Sequence, residues 1–276
     1  MKKLFSLVIC IMALLFAGCS NDKAKAFSVS RSKQVTFSSG NLQYTRSTDT
    51  WSFASTQYEI IGTDNVTGGS VYSDRSGEHK SGTALADKVD LFGWSTSTTN
   101  FGVSTSTDND DYSGSFVDWG ANKIGDDAPN TWRTLTYDEW NYLRCNRANA
   151  YDLCGIAQVN GVAGLIFLPD NWTCPAGVTF KSGFYSSDGT RYHTAHQTFT
   201  ADQWSKLEKS GAVFLPAAGC RRGSDVRVQR GGYFWSATEC NCNSNLAHFI
   251  DFYTDERFIY YNRTCGLSVR LVKDLQ

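Results

Sequence analysis

Two segments of this chain repeat the same order of local signals, in which a capped helix is followed by a short apolar strand. The capping boxes are Thr136–Glu139 and Thr200–Gln203, where the threonine hydroxyl accepts from a first-turn amide and the Glu or Gln side chain reaches back. The strands follow at 165–169 and 212–216, and both end in proline. Their unequal spacing excludes a repeat array of fixed period. We therefore predict an α+β domain over 27–276 with an antiparallel core.

Each capping box is also flanked by a pair of large apolar residues that can pack together. Leu135 with Trp140, and Phe199 with Trp204, have the spacing of a hydrophobic staple. The periodicity of a helix places Tyr137 on the same face of the first helix as Trp140. Trp204 and Leu207 likewise share one face of the second helix, so each predicted helix has an apolar face.

The N-terminal part of the domain has the pattern of short strands separated by polar loops. Segments Phe27–Val29, Val35–Phe37 and Leu42–Tyr44 alternate apolar and polar residues, which predicts an N-terminal β extension. The ranges 62–88 and 95–115 are rich in Gly, Ser, Thr and Asp, and we predict that both are loops. Loops of this length are commonly functional or mobile.

The stretch from Gly231 to Val272 begins and ends like a strand, but its middle has an unusual composition. Phe234 near its start, and Val269 and Leu271 near its end, have the alternation of half-buried strands. The 26 residues 240–265 lack Lys, Gln, Met, Trp and Pro, and they include one Glu. Nearly all the residue types present are encoded by codons that AAC can become when its adenines are substituted. This bias is a clue to diversification through adenine substitution.

Four segments carry a resemblance to a known group of proteins. Segments 230–238 (Arg-Gly-Gly-Tyr-Phe-Trp-Ser-Ala-Thr) and 266–272 (Gly-Leu-Ser-Val-Arg-Leu-Val) resemble the C-terminal variable region of diversity-generating retroelement target proteins. Together with 132–140 and 168–172 they are also similar to lipoproteins of gut Bacteroidetes with a C-type-lectin-like fold of the formylglycine-generating-enzyme type. The resemblance implies an α+β, C-type-lectin-like scaffold that displays variable side chains on one binding face.

This resemblance and the strand alternation together predict a ligand-binding face within about 231–272. Tyr, Asn, Asp, His and Ser combine rigid amphipathic contact area with adaptable hydrogen bonding, as in antibody paratopes. We expect the buried frame to be Phe234, Trp235, Val269 and Leu271. The residues that we expect to point outward and bind ligand are Asn243, His248, Asp251, Tyr253, Tyr260, Asn262 and Thr264. The alternative is that these residues simply cover one face of a strand.

The first residues of the chain have the pattern of a bacterial targeting segment. Lys2 and Lys3 precede an apolar run, Leu4–Phe16, that is too short for a comfortable membrane span. The sequence Phe-Ala-Gly-Cys that ends at Cys19 resembles a lipobox, which predicts a lipoprotein signal peptide over 1–19, a lipid-attached Cys19 and a tether over 20–26. We therefore predict a lipid-anchored protein of the bacterial outer membrane or cell surface. The alternative is an ordinary secretory signal with a chance cysteine.

Charge and motifs favour binding over catalysis. The formal net charge of −1 gives no electrostatic reason for a nucleic-acid partner. No nucleophile elbow, zinc-protease motif or phosphate-binding loop occurs in the sequence. We predict a non-enzymatic protein that binds a protein or glycan ligand, with a static carbohydrate-binding or adhesive lipoprotein as the alternative. A cofactor-dependent thiol oxidase is disfavoured because Cys240 and Cys242 are only one residue apart and the expected Arg-Tyr-Arg run is missing.

Metal and disulfide signals in the sequence are weak. His193 and His196 form a close pair without a convincing third ligand, and Asp108–Asp111 lacks the distal Glu of a full calcium loop. We predict no cofactor, and calcium at 108–111 stays open as a less favoured alternative. The two N-terminal cysteines, Cys10 and Cys19, leave seven of nine for the domain, and an odd number argues against a complete disulfide framework. The placement of Cys240, Cys242 and Cys265 suggests chance rather than structure, and a pairing of Cys145 with Cys154 stays open.

Overall fold

The regular structure of this protein is mostly β-sheet with a few short helices, which is compatible with the α+β class or with a mainly-β fold. The computed structural model describes residues 25–183, 197–229, 231–252 and 260–275. The predicted signal peptide, including Cys19, and most of the predicted tether lie outside the described residues. Tyr253 and the histidine pair His193 and His196 also lie outside them.

The described residues form 21 strands, most of them short. The first ten are β1 (Phe27–Ser28), β2 (Gln34–Phe37), β3 (Leu42–Thr45), β4 (Thr50–Phe53), β5 (Val66–Thr67), β6 (Val71–Asp74), β7 (Gly77–Ser81), β8 (Ala84–Leu85), β9 (Lys88–Val89) and β10 (Arg133–Thr134). The others are β11 (Cys154–Val159), β12 (Val162–Phe167), β13 (Thr198–Phe199), β14 (Val213–Pro216), β15 (Cys220–Arg222), β16 (Asp225–Gln229), β17 (Tyr233–Glu239), β18 (Leu246–Asp251), β19 (Tyr260–Asn262), β20 (Cys265–Gly266) and β21 (Leu271–Asp274).

Both predicted capping boxes are confirmed at the starts of helices α1 (Tyr137–Asn141) and α2 (Ala201–Lys209). The hydroxyl of Thr136 accepts from the Glu139 amide at 3.2 Å, and that of Thr200 accepts from the Gln203 amide at 3.2 Å. Helix α1 is short because its last turn continues as a π-helical turn, Tyr142–Asn146. The prediction succeeded because a capping box is a purely local signal.

The two ends of the described chain meet in one antiparallel sheet of order β1-β2-β21-β10. A second sheet has the order β13-β11-β12-β14, in which β12 and β14 correspond to the two apolar strands that follow the helices and pair antiparallel. The sheet β20-β15-β16-β7-β6 joins C-terminal strands to the N-terminal hairpin β6-β7, and the sheet β17-β18-β19 is formed by C-terminal strands alone. The small sheets β4-β3-β9 and β5-β8 lie in the N-terminal half.

Two of the apolar clusters that form the core lie on opposite sides of β17. Phe234 packs with Trp140 of α1 and with β11, β12 and β14, whereas Trp235 packs with Trp94 and Trp119 in a second cluster. Since neighbouring residues of a strand point to opposite faces, β17 is buried on both sides. The predicted frame is confirmed, because Phe234, Trp235, Val269 and Leu271 are all fully buried.

The prediction of a loop over 62–88 was wrong. This range contains β5, β6, β7 and β8, and it buries Val66 and Leu85. Every residue of β6 is exposed and β7 has only one buried residue, so their sequence lacks the apolar alternation of half-buried strands. Strand β6 pairs with β7, and β7 is joined on its other side by β16, a distant antiparallel neighbour. Range 95–115 is largely irregular, as predicted, although it buries Tyr112.

Candidate functional site

The predicted ligand-binding residues belong mainly to the sheet β17-β18-β19 and its turns. His248 of β18 lies directly opposite Tyr260 of β19, and Leu246 lies opposite Asn262. Side chains that face each other across an antiparallel pair lie on the same side of the sheet. These four residues therefore share one face, and all four keep partial exposure.

Three aromatic rings form a continuous patch on this face. The ring of His248 lies 4.4 Å from the ring of Tyr137 and 4.7 Å from the ring of Tyr260, measured between centroids. Tyr260 is 37% exposed, and the other two are partly exposed. We call Tyr137, His248 and Tyr260 the aromatic patch. Tyr137 was not predicted as a site residue, because it is far from the other two in sequence and only folding brings it to them.

Main-chain contacts fix the position of the aromatic patch. The Tyr137 amide donates to the Thr238 hydroxyl at 3.0 Å, and the Thr238 amide donates to the Ser236 hydroxyl at 3.2 Å. Ser236 in turn donates to the carbonyl of His248 at 2.9 Å. A register shift in β17 between Trp235 and Glu239 brings Ser236 and Thr238 to these positions. The patch is therefore held through backbone atoms of Tyr137 and His248 and does not need their rings.

Two tryptophans clamp the backbone beneath this face. The indole of Trp235 donates to the carbonyl of Phe92 at 2.7 Å, and the indole of Trp94 donates to the carbonyl of Ser236 at 2.9 Å. Both side chains are fully buried. Strand β17 is thus linked reciprocally to the segment that contains Phe92 and Trp94, which makes it a rigid support.

Arg263 is a further buried support that the sequence did not indicate. Its guanidinium lies 4.3 Å above the ring of Trp94 and donates to the carbonyl of Gly114 at 3.0 Å and to Glu239 Oε2 at 3.1 Å. A bond of 3.3 Å to the carbonyl of Leu246 ties it to β18. One side chain therefore connects the 112–114 segment with the strands that carry the patch.

The prediction that Asp251 points outward was wrong. Asp251 is 8% exposed and lies opposite Tyr233, on the other side of the sheet from His248. His248 and Asp251 are three residues apart on one strand, so alternation places them on opposite faces. Burial, and then the Asp251 charge, raise the pKa of Tyr233 well above its ordinary value. Asp251 is part of the buried support rather than of the exposed face.

The prediction that Thr264 points outward was also wrong. Strand β19 ends at Asn262, and the amide and hydroxyl of Thr264 both donate to Asn262 Oδ1 at 3.0 Å. This turn leaves Thr264 only 2% exposed. Asn262 therefore acts partly as a turn residue, since its carboxamide oxygen is already used, while its partly exposed side chain borders the face.

Asn243 is exposed, as predicted, in the hairpin turn that joins β17 to β18. Its side-chain oxygen accepts from the Asn245 amide at 2.8 Å, and its carbonyl accepts from the Leu246 amide at 3.0 Å. A disulfide joins Cys240 to Cys242 across this turn. The view that these two cysteines are placed by chance was therefore wrong, whereas Cys145, Cys154 and Cys265 are free thiols.

Within the described residues, burial disfavours the thiolate form of two of the free cysteines. Burial raises the pKa of the Cys265 thiol to about 11 and that of the Cys220 thiol above its ordinary value, so neither is poised as a thiolate. No group of three or more His, Cys, Asp or Glu side chains in this part of the chain could hold a metal ion. Asp108 caps a 3₁₀ turn by accepting from the Asp110 amide at 3.1 Å.

Comparisons with known proteins found no match to this chain among family models, curated proteins or solved structures. In the ranges that the structure describes, no helix combines the length and the apolar character that crossing a bilayer requires.

Proposed function

We propose that this protein is a non-enzymatic ligand-binding protein and that the aromatic patch is the centre of its recognition face. The observation that carries this proposal is the ring contact of His248 with both Tyr137 and Tyr260 on a partly exposed surface. Tyrosine and histidine rings supply rigid contact area with a polar end, which suits recognition of a protein or a glycan. Asn262 and the turn with Asn243 border the patch.

The way this face is supported suits a surface whose side chains are exchanged. The bonds that locate Tyr137 and His248 use their main-chain atoms, so substitution of their rings leaves those bonds in place. The frame beneath them is fully buried and uses none of the patch side chains. This separation of support from contact surface lets ligand choice change at little cost in stability.

The proposed scaffold is C-type-lectin-like, and the proposed source of variation is a diversity-generating retroelement. Both proposals rest on the resemblance of 230–238 and 266–272 and on the composition of 240–265, the range that contains His248 and Tyr260. The gene neighbourhood tests the second proposal. If the proposal is correct, a reverse transcriptase gene lies nearby, together with a near-copy of the last ~130 bases that differs only at adenines. A neighbourhood that lacks both would contradict diversification and would favour a face whose residues do not vary.

The proposed location is the bacterial outer membrane or cell surface, with lipid on Cys19. Metabolic labelling of expressing cells with a labelled fatty acid tests lipid attachment at Cys19 directly. We expect label on the wild-type protein and on a Ser20→Ala variant, but none on Cys19→Ala. Label that persists in Cys19→Ala, or label on neither protein, would contradict lipid attachment at this residue.

The binding proposal is tested on arrays of glycans and of bacterial and host cell-surface proteins. Wild-type protein is compared with His248→Ala and Tyr260→Ala, and Tyr72→Ala is a matched control. Tyr72 is 57% exposed and stacks on His79 at 5.1 Å, so it resembles the patch chemically but lies on β6.

We expect at least one ligand whose binding falls tenfold or more in both patch variants and stays within twofold in the control. Binding that is unaffected by the patch variants, or that falls equally in Tyr72→Ala, would contradict the proposal. Thermal unfolding of each variant checks that the loss of binding is not a loss of fold.

A further inference from the structure

A concave site is formed by residues that do not belong to the aromatic patch. A cavity of about 480 Å³ is lined by the N-terminal strands, the segment around Trp132 and the end of α2, and it includes Ser39, Phe53, Asp127 and Glu208. Its volume is within the range of small-molecule sites, roughly 300–1,000 Å³. None of its lining residues belongs to the patch, so it is a separate candidate site.

Trp132 forms an aromatic wall of this cavity. Its indole nitrogen donates to Asp127 Oδ2 at 2.9 Å, and the ring of Phe53 meets it edge to face at 5.1 Å. The indole is only partly buried. Trp132 also lines an adjoining cavity of about 390 Å³ that includes Arg133 and Asp274. The same fixed indole is therefore a common wall of two neighbouring cavities.

The carboxylate of Glu208 lines this cavity, and two buried residues, Gln57 and Arg270, hold it in position through a chain of hydrogen bonds. Its Oε1 accepts from Gln57 Nε2 at 2.8 Å, and Gln57 Oε1 accepts from Arg270 Nη2 at 2.5 Å. Arg270 is fully buried, and burial lowers its pKa to about 9. Gln57 also accepts from the Phe214 amide at 2.8 Å, so its orientation is fixed. These hydrogen bonds hold a negatively charged acceptor near the end of α2, where the helix dipole alone would disfavour it.

We propose that the Trp132 cavity binds a pyranose sugar, with the ring packed against the indole and its hydroxyls bonded to Asp127 and Glu208. A pyranose presents C–H groups on one face and hydroxyls around its edge. An aromatic wall with a few fixed polar groups matches both features, and ionised carboxylates are acceptors for hydroxyl donors.

The polar side chains at the cavity offer both donors and acceptors to a neutral sugar. Lys25 lines the same cavity and offsets one of the two carboxylates. One net negative charge therefore remains, so an anionic ligand is disfavoured, whereas a neutral polyol finds both donors and acceptors. The adjoining cavity on Trp132 gives room for a second ring, so we infer that an oligosaccharide binds better than a monosaccharide.

Calorimetric titration of the full chain tests this inference. The probes are cello-, manno-, xylo-, chito- and malto-tetraoses with their monosaccharides, and tetramethylammonium is the cationic probe. The variants are Trp132→Ala, which removes the wall, and Ser39→Trp, which fills the cavity from an exposed position. The control is Trp172→Ala, because Trp172 is also half-buried and donates to Ser210 Oγ at 2.8 Å but lies outside both cavities.

We expect at least one tetraose to bind, with an association constant that falls tenfold or more in both cavity variants and stays within twofold in the control. Ser39→Trp keeps the test valid if Trp132→Ala fails to fold. Absence of binding by every sugar, binding of the cation alone, or equal binding by wild type and Ser39→Trp would overturn the inference. Since Tyr260→Ala leaves this site intact, failure here is distinguishable from failure of the patch.

Discussion

His248 lies directly opposite Tyr260 in the antiparallel pair of β18 and β19, and their rings meet edge to face at 4.7 Å. Cross-strand aromatic pairs of this kind contribute roughly 0.2–1 kcal/mol to a sheet. Because His248 also contacts Tyr137, the pair extends the surface from β19 to the start of α1. A ligand could therefore touch three separate chain segments at once, all of which are held by a common support.

Substitution of patch residues should hardly change stability. We expect Tyr260→Ser and His248→Ser each to change the free energy of unfolding by no more than ~1 kcal/mol, because both side chains are partly exposed. Tyr260→Ser loses one ring contact, and His248→Ser loses two. Urea unfolding measures this. The matched buried variant is Trp235→Ala, which should lose about 3–5 kcal/mol through the cavity it creates. Equal losses of stability in the patch variants and in Trp235→Ala would contradict the claim that the buried support is independent of the exposed side chains.

The errors in predicting the site show what alternation can and cannot supply. The period of two correctly separates Phe234 from Trp235, and it could also have separated His248 from Asp251. Thr264 was misplaced because the strand ends at Asn262, and the turn that buries it depends on a carboxamide bond. Strand ends are set by such local contacts, which the apolar pattern does not reveal.

Arg263 should be essential for the support. In Arg263→Met the carbonyls of Gly114 and Leu246 lose a charged donor, so we expect the free energy of unfolding to fall by about 3 kcal/mol. Chemical denaturation at one pH measures the change. Arg227→Met is the control, because Arg227 is half exposed and its 3.7 Å ion pair with Asp225 should contribute less than ~0.5 kcal/mol. A loss for Arg263→Met no larger than the control's would refute the role.

The Cys240–Cys242 disulfide should restrain the turn that carries Asn243. Since the closed loop is very short, the Cys240→Ser/Cys242→Ser double variant should lose only about 1–2 kcal/mol of stability. Its larger effect should be faster amide exchange at Asn245 and Leu246, which mass spectrometry can follow. Cys145→Ser removes an exposed free thiol and should leave exchange unchanged. Unchanged exchange in the double variant would show that the bond does not hold the turn.

Glu59 should make the fold sensitive to acid. Burial alone would raise its pKa, but hydrogen bonds from Ser55 and Gln43 and the charge of Lys88 lower it to about 2. The stability that Glu59 contributes is therefore present above its ordinary pKa of 4.5 and is lost as pH falls toward 2.

The measurement is the free energy of unfolding between pH 5 and pH 2 for wild type and Glu59→Gln. The variant should be less stable at pH 5, and the difference should shrink as pH falls. Asp90 contributes the opposite slope, because burial and, less strongly, the Glu59 charge raise its pKa to about 6; since Glu59→Gln removes only the smaller of these two causes, most of this slope is common to both proteins. Glu78→Gln, an exposed change on β7, is the control. A constant difference across this pH range would contradict the role of Glu59.

How much of the site the sequence could predict depends on the distance over which each signal acts. Each capping box is a pattern of four consecutive residues, and the prediction was confirmed for both. Tyr137 was predicted only as part of a helix face, and both its ring contact with His248 and its amide bond to Thr238 reach residues far along the chain. The Trp132 cavity likewise combines β4, the 127–132 segment and α2, which no local pattern connects.

Randomisation of the patch tests the central claim most directly. A library that varies Tyr137, His248 and Tyr260 is displayed on yeast, and each clone is scored for protease resistance and for binding after selection on an unrelated protein. A matched library varies the buried residues Phe234, Trp235 and Phe249. We predict that most patch clones keep wild-type resistance and yield binders, whereas most clones of the buried library lose resistance. Equal loss of resistance in both libraries would contradict the claim that a rigid frame supports exchangeable side chains.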